Sequence, residues 1–355
     1  MAEHPYSSLP DHRFWRKAVT SLPPFALDPV LSTPFKIAVT DKVATGGSCF
    51  AQEIAQRLKA SGFHYYLAER PPEGMSAAEA ERRNYSMYSC RYGNLYTTTA
   101  LLQLFDRAYG ALEPQLEHWI RQEDGRIVDP FRPSIEPDGY ASVDDMLAER
   151  ERHFAAVRKM FETLDVFVFT FGHTESWRCK SDGAVLQQAP GVAGGVWDPS
   201  LYAFHNMTVA DVVRDFLASV DRIRSVNANA RIILTVSPVG IIATYENRHV
   251  IEANSAIKAI LRAAADEVVR ARPNIAYFPS YDLATVAPNA SRFYRDDVRR
   301  ISHFGISQTM RLFFEHFTER ESEPATPIKA LKFDVAAEAE SNSRIVCDEE
   351  AIETA

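Results

Sequence analysis

The feature that most constrains the fold is a series of short apolar runs, each preceded by a segment with helical periodicity. The run Val166–Phe171 is apolar at nearly every position, which is typical of a strand buried on both faces of a sheet. Strands that alternate with helices predict a parallel sheet covered on both sides, so we expect a three-layer α/β/α fold. The predicted pairs of helix and strand are Ser142–Leu164 with Val166–Phe171, Thr208–Asn227 with Arg231–Val236, and His249–Ala271 with Ile275–Phe278.

A glycine-containing corner lies near the start of this pattern. Phe35–Val39 predicts a strand, and Ala51–Leu58 repeats its apolar residues at helical spacing. Gly47 occupies the corner between them, which places Ser48 and Cys49 at the first turn of a helix. Free backbone N–H groups and the positive end of the helix dipole stabilise an anion there, so either side chain is a candidate nucleophile. The alternative is structural, with Ser48 as an N-cap and Cys49 as a small core residue.

Composition narrows the class of protein. The 355 residues are 46% hydrophobic and 24% charged, as expected for an ordinary globular protein. The formal charge of −8 argues against nucleic acid as a partner, because a basic surface is what binds a phosphate backbone. No apolar run reaches membrane-spanning length, and the polar stretch Met1–Asp11 does not resemble a secretory signal. Four scattered cysteines lack paired metal-ligand spacing, so we expect reduced thiols and a cytoplasmic location.

Several segments interrupt the alternation of strands and helices. Residues 68–90 and 110–141 contain clusters of charge, proline and aromatic residues, and long insertions of this kind often cover an active site, so we expect a lid or cap. Residues 35–320 form the predicted main domain, after an extension over residues 1–34. Residues 322–355 are acidic and rich in alanine and serine, which predicts a disordered tail, although Lys329–Val335 could dock on the body.

Polar groups from four segments are expected at one edge of the sheet, because ligands of parallel sheets collect at the carboxyl ends of the strands. These segments are the Gly47-Ser48-Cys49 corner, the Gly93-Asn94 turn, the strand exit Gly172–Glu175, and the late stretch Tyr294–His303.

The order of these segments resembles the SGNH or GDSL-like hydrolase superfamily, whose parallel sheet is of the flavodoxin-like kind. More closely, the chain resembles the GSCFA family, whose name is spelled by residues Gly47-Ser48-Cys49-Phe50-Ala51. Further matching segments run from about residue 35 to about residue 320. They are Arg91–Asn94, Asp129–Pro133, Thr170–Gly172, Thr174-Glu175, Trp177, Val236–Val239, Phe278–Tyr281 and Arg292–Tyr294.

The resemblance implies acyl chemistry on ester-linked groups through a covalent acyl-enzyme. In the superfamily, a serine of the first block attacks the carbonyl, which makes Ser48 the first candidate. Registering Gly47-Ser48-Cys49 on the Gly-Asp-Ser of the superfamily instead puts Cys49 at the reactive position, where a helix N-terminus would lower the thiol pKa. Both nucleophiles remain candidates at this point.

Oxyanion donors are expected from two blocks. The backbone N–H groups of the Gly47 corner and of Gly93 are candidates, with Asn94 or Thr174 adding a side-chain donor. The superfamily carries Gly-x-Asn-Asp in its third block, whereas this chain has Gly172-His173-Thr174-Glu175, so the usual asparagine is missing. Glu175 is a candidate to orient the base, and the structural alternative is a carboxylate bonded to loop amides or an arginine.

The base is less clearly marked by the sequence. In the superfamily a late Asp-x-x-His segment supplies both the orienter and the base. Alignment on Asp297 places Arg300 where the histidine is expected, and arginine is not a base near neutral pH. His303 and His173 are therefore the candidate bases, because histidine beside a carboxylate suits that role.

These residues together predict an esterase or O-acyltransferase whose partner is an acylated saccharide or another small ester. Trp177, with Trp197, Tyr202 and Phe204, could form a wall that stacks on sugars, or could pack as core and lid. No convincing metal-ligand spacing is present, so we expect neither a metal nor a cofactor. A non-catalytic glycan-binding or assembly module on the same fold is the second hypothesis, and the oligomeric state is open.

Overall fold

Four parallel strands form the central sheet, in the order β1-β4-β8-β9. The computed structural model describes residues 4–319 and 347–354. Its strands are β1 (Val43–Gly47), β2 (Trp119–Ile120), β3 (Ile127–Val128), β4 (Val166–Phe171), β5 (Glu175–Cys179), β6 (Val185–Leu186), β7 (Tyr202–Asn206), β8 (Arg231–Val236) and β9 (Ile275–Phe278).

Ten α-helices accompany these strands within the described residues. They are α1 (Phe50–Ala60), α2 (Ala77–Arg82), α3 (Thr98–Ala108), α4 (Val143–Thr163), α5 (Val209–Val226), α6 (Val250–Ala271), α7 (Ser280–Thr285), α8 (Ala287–Phe293), α9 (His303–Phe317) and α10 (Ala351–Thr354). Over the described part of the chain, no helix combines the length and the apolar character needed to cross a membrane.

The two faces of the sheet are buried in two separate cores. Phe167 and Phe169 of β4 pack with α3, α4, α5 and α6, whereas Val166 and Val168 pack on the other face with α1 and the late helices α7 to α9. Successive side chains of a strand point to opposite faces, so an uninterrupted apolar run is what a doubly covered strand requires. The expected three-layer α/β/α fold with a parallel sheet is therefore confirmed.

The first strand lies later than the sequence predicted. The prediction placed it at Phe35–Val39, but β1 spans Val43–Gly47, and of the predicted residues Ile37 makes an isolated bridge to Thr318. β1 is poor in β-forming residues, yet its glycines suit its neighbour. A Cβ on Gly46 would come within 3.1 Å of the Phe167 ring, so a small residue is what lets the aromatic pack over the strand. Packing between strands overrides intrinsic propensity at this point.

The insertions form accessory structure on the main body. Residues 68–90 contain the short helix α2, and residues 110–141 contain the β2-β3 hairpin. β5, β6 and β7 form a second, antiparallel sheet in the order β6-β5-β7, which the sequence did not predict. Trp119 and Phe131 of the hairpin region pack with Leu186 and Tyr202 of that sheet, forming a small third core.

The C-terminal segment differs from the prediction of a disordered tail over 322–355. Lys329–Val335, the stretch considered for docking, lies outside the described residues. Cys347–Thr354 is described: Asp348–Glu350 forms a 3-10 turn, followed by α10. Asp348 is 4% exposed, so this short segment is packed into the body. Its acidic composition alone did not indicate burial, because the compensating cations lie elsewhere in the chain.

Candidate active site

The nucleophile corner is locked against the neighbouring strand. Gly47 has a φ of +118°, and a Cβ at this residue would collide with the backbone of Thr170 on β4. The Ser48 N–H donates to the Thr170 carbonyl at 3.1 Å. Only glycine adopts this conformation at such close approach without strain, so the corner depends on Gly47. The chain then turns directly into α1, with Cys49 as its N-cap residue.

Ser48 and Cys49 have different surroundings. Ser48 is 3% exposed, and its buried hydroxyl makes no hydrogen bond within the described residues. Gly172 presses against it, since a Cβ at Gly172 would lie 3.1 Å from the Ser48 Cβ. Cys49 instead lines a cavity of about 80 Å³ in front of α1, together with Arg300, Cys347 and other residues. Cys49 is 7% exposed, so its thiol borders a small cavity, while the Ser48 hydroxyl is enclosed by the body.

The Gly93-Asn94 turn brings an amide donor to the same edge. Gly93 has a φ of +72°, and Leu95, which follows the Gly93-Asn94 turn, donates its N–H to the Gly47 carbonyl at 2.8 Å. Gln52 of α1 donates to the Asn94 Oδ1 at 3.0 Å, which orients the amide so that Nδ2 donates to a carboxylate oxygen of Asp348 at 2.8 Å. Asn94 thus presents a donor to an oxygen in the cleft beside the nucleophile corner.

A buried ion network anchors this turn from behind. Arg91, which is fully buried, pairs with Glu149 of α4 and with Glu136. Glu149 also accepts from Arg132 at 2.5 Å, and Arg132 pairs with Asp129 at 3.0 Å. Arg132 therefore neutralises acids of the chain rather than reaching a substrate anion. The network fixes the start of the segment that carries Asn94.

The exit of β4 contributes a histidine to the cleft. The Gly172 and His173 N–H groups both point to the Tyr96 carbonyl, at 3.1 and 3.3 Å. The His173 ring stacks on Tyr96 with centroids 4.6 Å apart, and its Nε2 lies 3.0 Å from Oε1 of Glu349. Because its backbone and its ring face are both fixed, His173 presents Nε2 to the cleft in one orientation.

Thr174 and Glu175 are engaged by other parts of the chain. The Thr174 hydroxyl donates to Asn206 Oδ1 at 2.5 Å, across to the end of β7. The Glu175 carboxylate accepts from the Thr244 hydroxyl at 2.5 Å and from the Tyr245 N–H at 3.2 Å. This arrangement of Glu175 matches the structural alternative that the sequence left open, namely a carboxylate bonded to loop groups.

The late block is arranged differently from an Asp-x-x-His segment. Asp297 accepts from the N–H groups of Arg299 and Arg300 at 3.0 and 2.9 Å and pairs with the Arg300 side chain at 2.6 Å. Burial raises the pKa of Asp297, but these hydrogen bonds outweigh burial and hold the pKa below its ordinary value. His303 begins α9, and its Nε2 lies 3.2 Å from a guanidinium nitrogen of Arg57 on α1. Of these late residues, Arg300 lines the cavity of Cys49, whereas Asp297 and His303 do not.

Two cations near the site were missed by the sequence reasoning. Lys258 of α6 is 2% exposed and donates to the Gly172 carbonyl at 2.8 Å. Arg299 donates through Nε to the Gly240 carbonyl at 2.9 Å. A lysine on the apolar face of α6, next to Ile257 and in line with Leu261, is the signal that could have identified Lys258. Arg299 carries no such signal, because it lies in an irregular segment.

The C-terminal segment fills the space in front of these groups. Asp348 accepts from Asn94, and its carbonyl accepts from Gln188 at 3.1 Å. Glu349 bridges His173 and Arg299, with its second oxygen 3.1 Å from Arg299. Cys347 lines the same cavity as Cys49.

The bound segment disfavours the thiolate of Cys49. Contact with the Cys347 thiol, followed by burial and the nearby charge of Glu349, raises the pKa of Cys49 well above its ordinary value, and the charge of Arg299 only partly opposes this. Burial lowers the pKa of Lys258 from 10.5 to about 8. Burial also raises the pKa of Asp348. The thiol is therefore protonated at neutral pH while Cys347–Glu350 occupies the cleft.

An aromatic wall borders the cleft on the side of the antiparallel sheet. Trp177 packs edge-to-face on Trp197 and on Tyr245, each with ring centroids 4.7 Å apart, and on Phe204 at 5.6 Å. Trp177, Phe204 and Tyr245 line a cavity of about 200 Å³ that also reaches Asn94 and His173. Tyr245 is 61% exposed, so the wall offers ring surface to a ligand beside Asn94 and His173.

The cleft itself has no grouping of side chains suited to a metal ion among the described residues. Among the described residues, the group with metal-ligand geometry is Asp28, Glu315 and His316. None of these three residues lines the cavity of Cys49 or the cavity of the aromatic wall.

Comparisons with known proteins bear on the family of this chain. A family model described as the GSCFA family matches residues 42–313. Among curated proteins, none matches this chain. A solved structure of the Clostridium thermocellum family 3 carbohydrate esterase is 10% identical, with a TM-score of 0.26, covering 78% of this chain and 94% of that one. The family match spans most of the chain and includes the corner, the Asn94 turn, the β4 exit and the start of α9, and the protein therefore belongs to the GSCFA family.

Proposed function

We propose that the protein is an esterase or O-acyltransferase that forms a covalent acyl-enzyme on Cys49. The observation that carries the proposal is the placement of the Cys49 thiol at the N-terminus of α1, bordering a cavity, while the Ser48 hydroxyl is enclosed. The order of the blocks resembles the SGNH superfamily, and Cys49 then takes the place of its serine. The helix dipole and the neighbouring cations lower the pKa of the thiol once the C-terminal segment has left the cleft.

The proposed reaction has two steps of acyl transfer. The Cys49 thiol gives its proton to the His173 imidazole, and the sulfur attacks the carbonyl carbon of an ester. The carbonyl electrons move to oxygen, which accepts from the Asn94 amide and from N–H groups at the start of α1. The ester C–O bond then breaks, the alcohol takes the proton from His173, and a thioester remains on Cys49. Water or an acceptor alcohol gives a proton to His173, attacks the thioester and releases the thiolate.

We propose an acylated saccharide as the substrate. The support is the aromatic wall, whose exposed rings lie beside Asn94 and His173 and offer flat apolar surface to a sugar ring. Hydrolysis and transfer share the acyl-enzyme and differ in which nucleophile enters the second step.

The test is to measure turnover of p-nitrophenyl acetate and to detect the acyl adduct by intact mass in a chain from which residues 347–355 have been removed. The variants are Ser48→Ala, Cys49→Ala and His173→Asn, with Cys179→Ala as the matched control, since Cys179 is a buried thiol of the antiparallel sheet. We expect the adduct to vanish in Cys49→Ala and to persist in Ser48→Ala and in the control. An adduct lost only in Ser48→Ala would assign serine as the nucleophile. A chain that is never acylated would instead favour the binding module.

A further inference from the structure

Two cations are held in the cleft by the body of the protein. The Lys258 ammonium donates to the Gly172 carbonyl at 2.8 Å, and Arg299 Nε donates to the Gly240 carbonyl at 2.9 Å. Both anchors are backbone carbonyls of the main body. Each cation therefore has one anchor on the body that does not involve the C-terminal segment.

The body supplies little negative charge to neutralise these cations. Asp297 pairs with Arg300 and does not line the cavity of Cys49. Glu53 of α1 lines the cavity of Cys49, where burial raises its pKa and the charges of Arg57 and Arg295 oppose that rise, so other cations already face this carboxylate. Carbonyl oxygens solvate a cation without cancelling its charge, and an unneutralised buried charge is costly. We call the pocket formed by His173, Lys258 and Arg299 the cationic pocket. Its charge favours the binding of an anion.

The anion seated there is the carboxylate of Glu349. Its Oε1 lies 3.0 Å from His173 Nε2, and its Oε2 lies 3.1 Å from an Arg299 nitrogen. Each oxygen thus has its own donor, which is the arrangement that a planar group with two oxygens satisfies. Burial raises the pKa of Glu349, but the hydrogen bond and charge of His173, with the charges of Arg299 and Lys258, lower it below its ordinary value. The pocket therefore stabilises an ionised carboxylate.

The segment that carries Glu349 is small and is held mainly by polar contacts. Asp348 bonds to Asn94 and Gln188, and Glu350 pairs with Arg299 at 3.3 Å. α10 has four residues, and Ile352 beside it remains 42% exposed. None of the described side chains of this segment belongs to either core of the sheet, so a competing anion can displace the segment without disturbing those cores.

We propose that Arg299 and Lys258 of the cationic pocket bind a carboxylate group of the substrate, while His173 Nε2 is left to accept the Cys49 proton, and that Glu349 of the chain itself is a competing occupant of the same site. The proposal names a substrate class for the acyl-transfer site, and in that respect it rests on the function proposed above. Its binding claim stands without turnover. Neutral esters would then be poorer substrates than esters of carboxylate-bearing saccharides such as uronic acids.

The test uses two alkylating agents that differ in charge and little in size. Iodoacetate carries a carboxylate, and iodoacetamide is its neutral counterpart. In both reactions the Cys49 sulfur forms a bond to the methylene carbon, iodide leaves, and the thiol proton passes to the buffer. The rate at Cys49 is followed by intact mass and peptide mapping. Glutathione alkylated under the same conditions gives the intrinsic ratio of the two rates.

Two forms of the protein are compared with the wild type. One lacks residues 347–355, and the other is the full chain with Cys347→Ser and Glu349→Gln, which protects the test against a truncated chain that fails to fold. In both forms we expect Cys49 to react at least about tenfold faster than in the wild type near pH 7, because lowering the thiol pKa by one unit raises the thiolate fraction tenfold. We also expect the iodoacetate-to-iodoacetamide ratio to exceed that of glutathione by about fivefold, and to return to the glutathione value in Arg299→Gln.

Three results would overturn the proposal. The first is a ratio at Cys49 equal to that of glutathione in both altered forms. The second is a wild-type Cys49 that reacts as fast as the altered forms. The third is protection of Cys49 by inorganic phosphate at lower concentration than by succinate, which would assign the pocket to a phosphate. Alkylation of Cys49 requires no ester turnover, so it tests the carboxylate site separately from the acyl-transfer function. An iodoacetate-to-iodoacetamide ratio above that of glutathione, found in a protein that does not turn over esters, would refute the acyl-transfer function and support the carboxylate site.

Discussion

Replacement of Glu149 by glutamine should weaken the protein strongly, because this carboxylate is the centre of the buried ion network. Glu149 is 3% exposed and accepts from Arg91, from Arg132 at 2.5 Å and from the Tyr140 hydroxyl at 3.0 Å. Burial raises its pKa, but the charges of Arg132 and Arg91 outweigh burial and lower the pKa from 4.5 to about 2. Glu149→Gln keeps the size of the side chain and removes its charge.

The magnitude of the loss follows from this pKa. The difference between 4.5 and about 2 corresponds to about 3 kcal/mol of stabilisation of the folded state by the ionised form. Breaking a buried ion pair by removing one partner costs about 3–5 kcal/mol, which is the same range. Glu136 and Asp129 still neutralise part of the charge on Arg91 and Arg132, so we expect the lower end, about 3 kcal/mol.

Urea unfolding of the wild type and Glu149→Gln near pH 7 measures this free energy directly. Glu315→Gln is the matched control, because Glu315 pairs with Arg311 while 38% of each side chain is exposed, and its loss should cost less than about 1 kcal/mol. The folded-state pKa of Glu149 is depressed, so its contribution is fully present above 4.5 and is lost as the pH falls towards 2. The gap between wild type and Glu149→Gln should therefore narrow in that window.

A loss below about 1 kcal/mol, or a gap that stays constant as the pH falls, would refute this account of the network. Because the network anchors the turn that carries Asn94, the proposed esterase activity, measured per folded molecule, should fall as well. Activity that is unchanged in the folded fraction of Glu149→Gln would show that Asn94 is positioned without the network.

Three further predictions concern the corner, the buried lysine and the aromatic wall. Gly47→Ala should cost at least about 2 kcal/mol in thermal unfolding, through its positive φ and its collision with β4, whereas Gly62→Ala has a positive φ but open space around it and should cost about 1 kcal/mol. Burial lowers the pKa of Lys258 from 10.5 to about 8, so its charged form destabilises the folded state below about 8, and this cost disappears as the pH rises to 10.5. Urea unfolding should therefore show the wild type gaining about 3 kcal/mol relative to Lys258→Met across that window, and an unchanged difference would contradict it. Tyr245→Ala should weaken retention on an immobilised polysaccharide by about 0.5–1.5 kcal/mol. Tyr6→Ala is the control, because the Tyr6 ring is also exposed but lies far from the wall in sequence. Equal losses in the two variants would argue against a sugar-binding wall.

The regular part of the fold could be predicted from sequence because local patterns determine it. The observed bounds of α4 and α5 differ from the predicted ones by one residue at each end, and those of α6 differ by one residue at its start. β4, β8 and β9 coincide with the predicted runs. β1 was misplaced because its small residues are selected by the Phe167 ring of the next strand, and a local pattern does not show this.

The candidate site was predictable only where it follows from strand ends. The corner, the Asn94 turn and the β4 exit meet at one edge, as parallel topology requires. Lys258 reaches that edge from the middle of a helix, and Glu349 reaches it from the end of the chain. Neither contact follows from periodicity, because both depend on how distant segments pack. The enclosure of Ser48 and the exposure of the Cys49 cavity likewise depend on Gly172 and the late block.

The ion network behind Asn94 also has a consequence for the order of folding events. Arg91 pairs with Glu136 and Glu149, which lie 45 and 58 residues further along the chain. Closing such long loops costs chain entropy before the ion pairs contribute any stabilisation, so these contacts form late in folding. The Gly93-Asn94 turn is therefore assembled only after the hairpin region and α4 have docked. A refolding chain should regain its helices well before it regains the proposed activity, which would then report completion of folding rather than its onset.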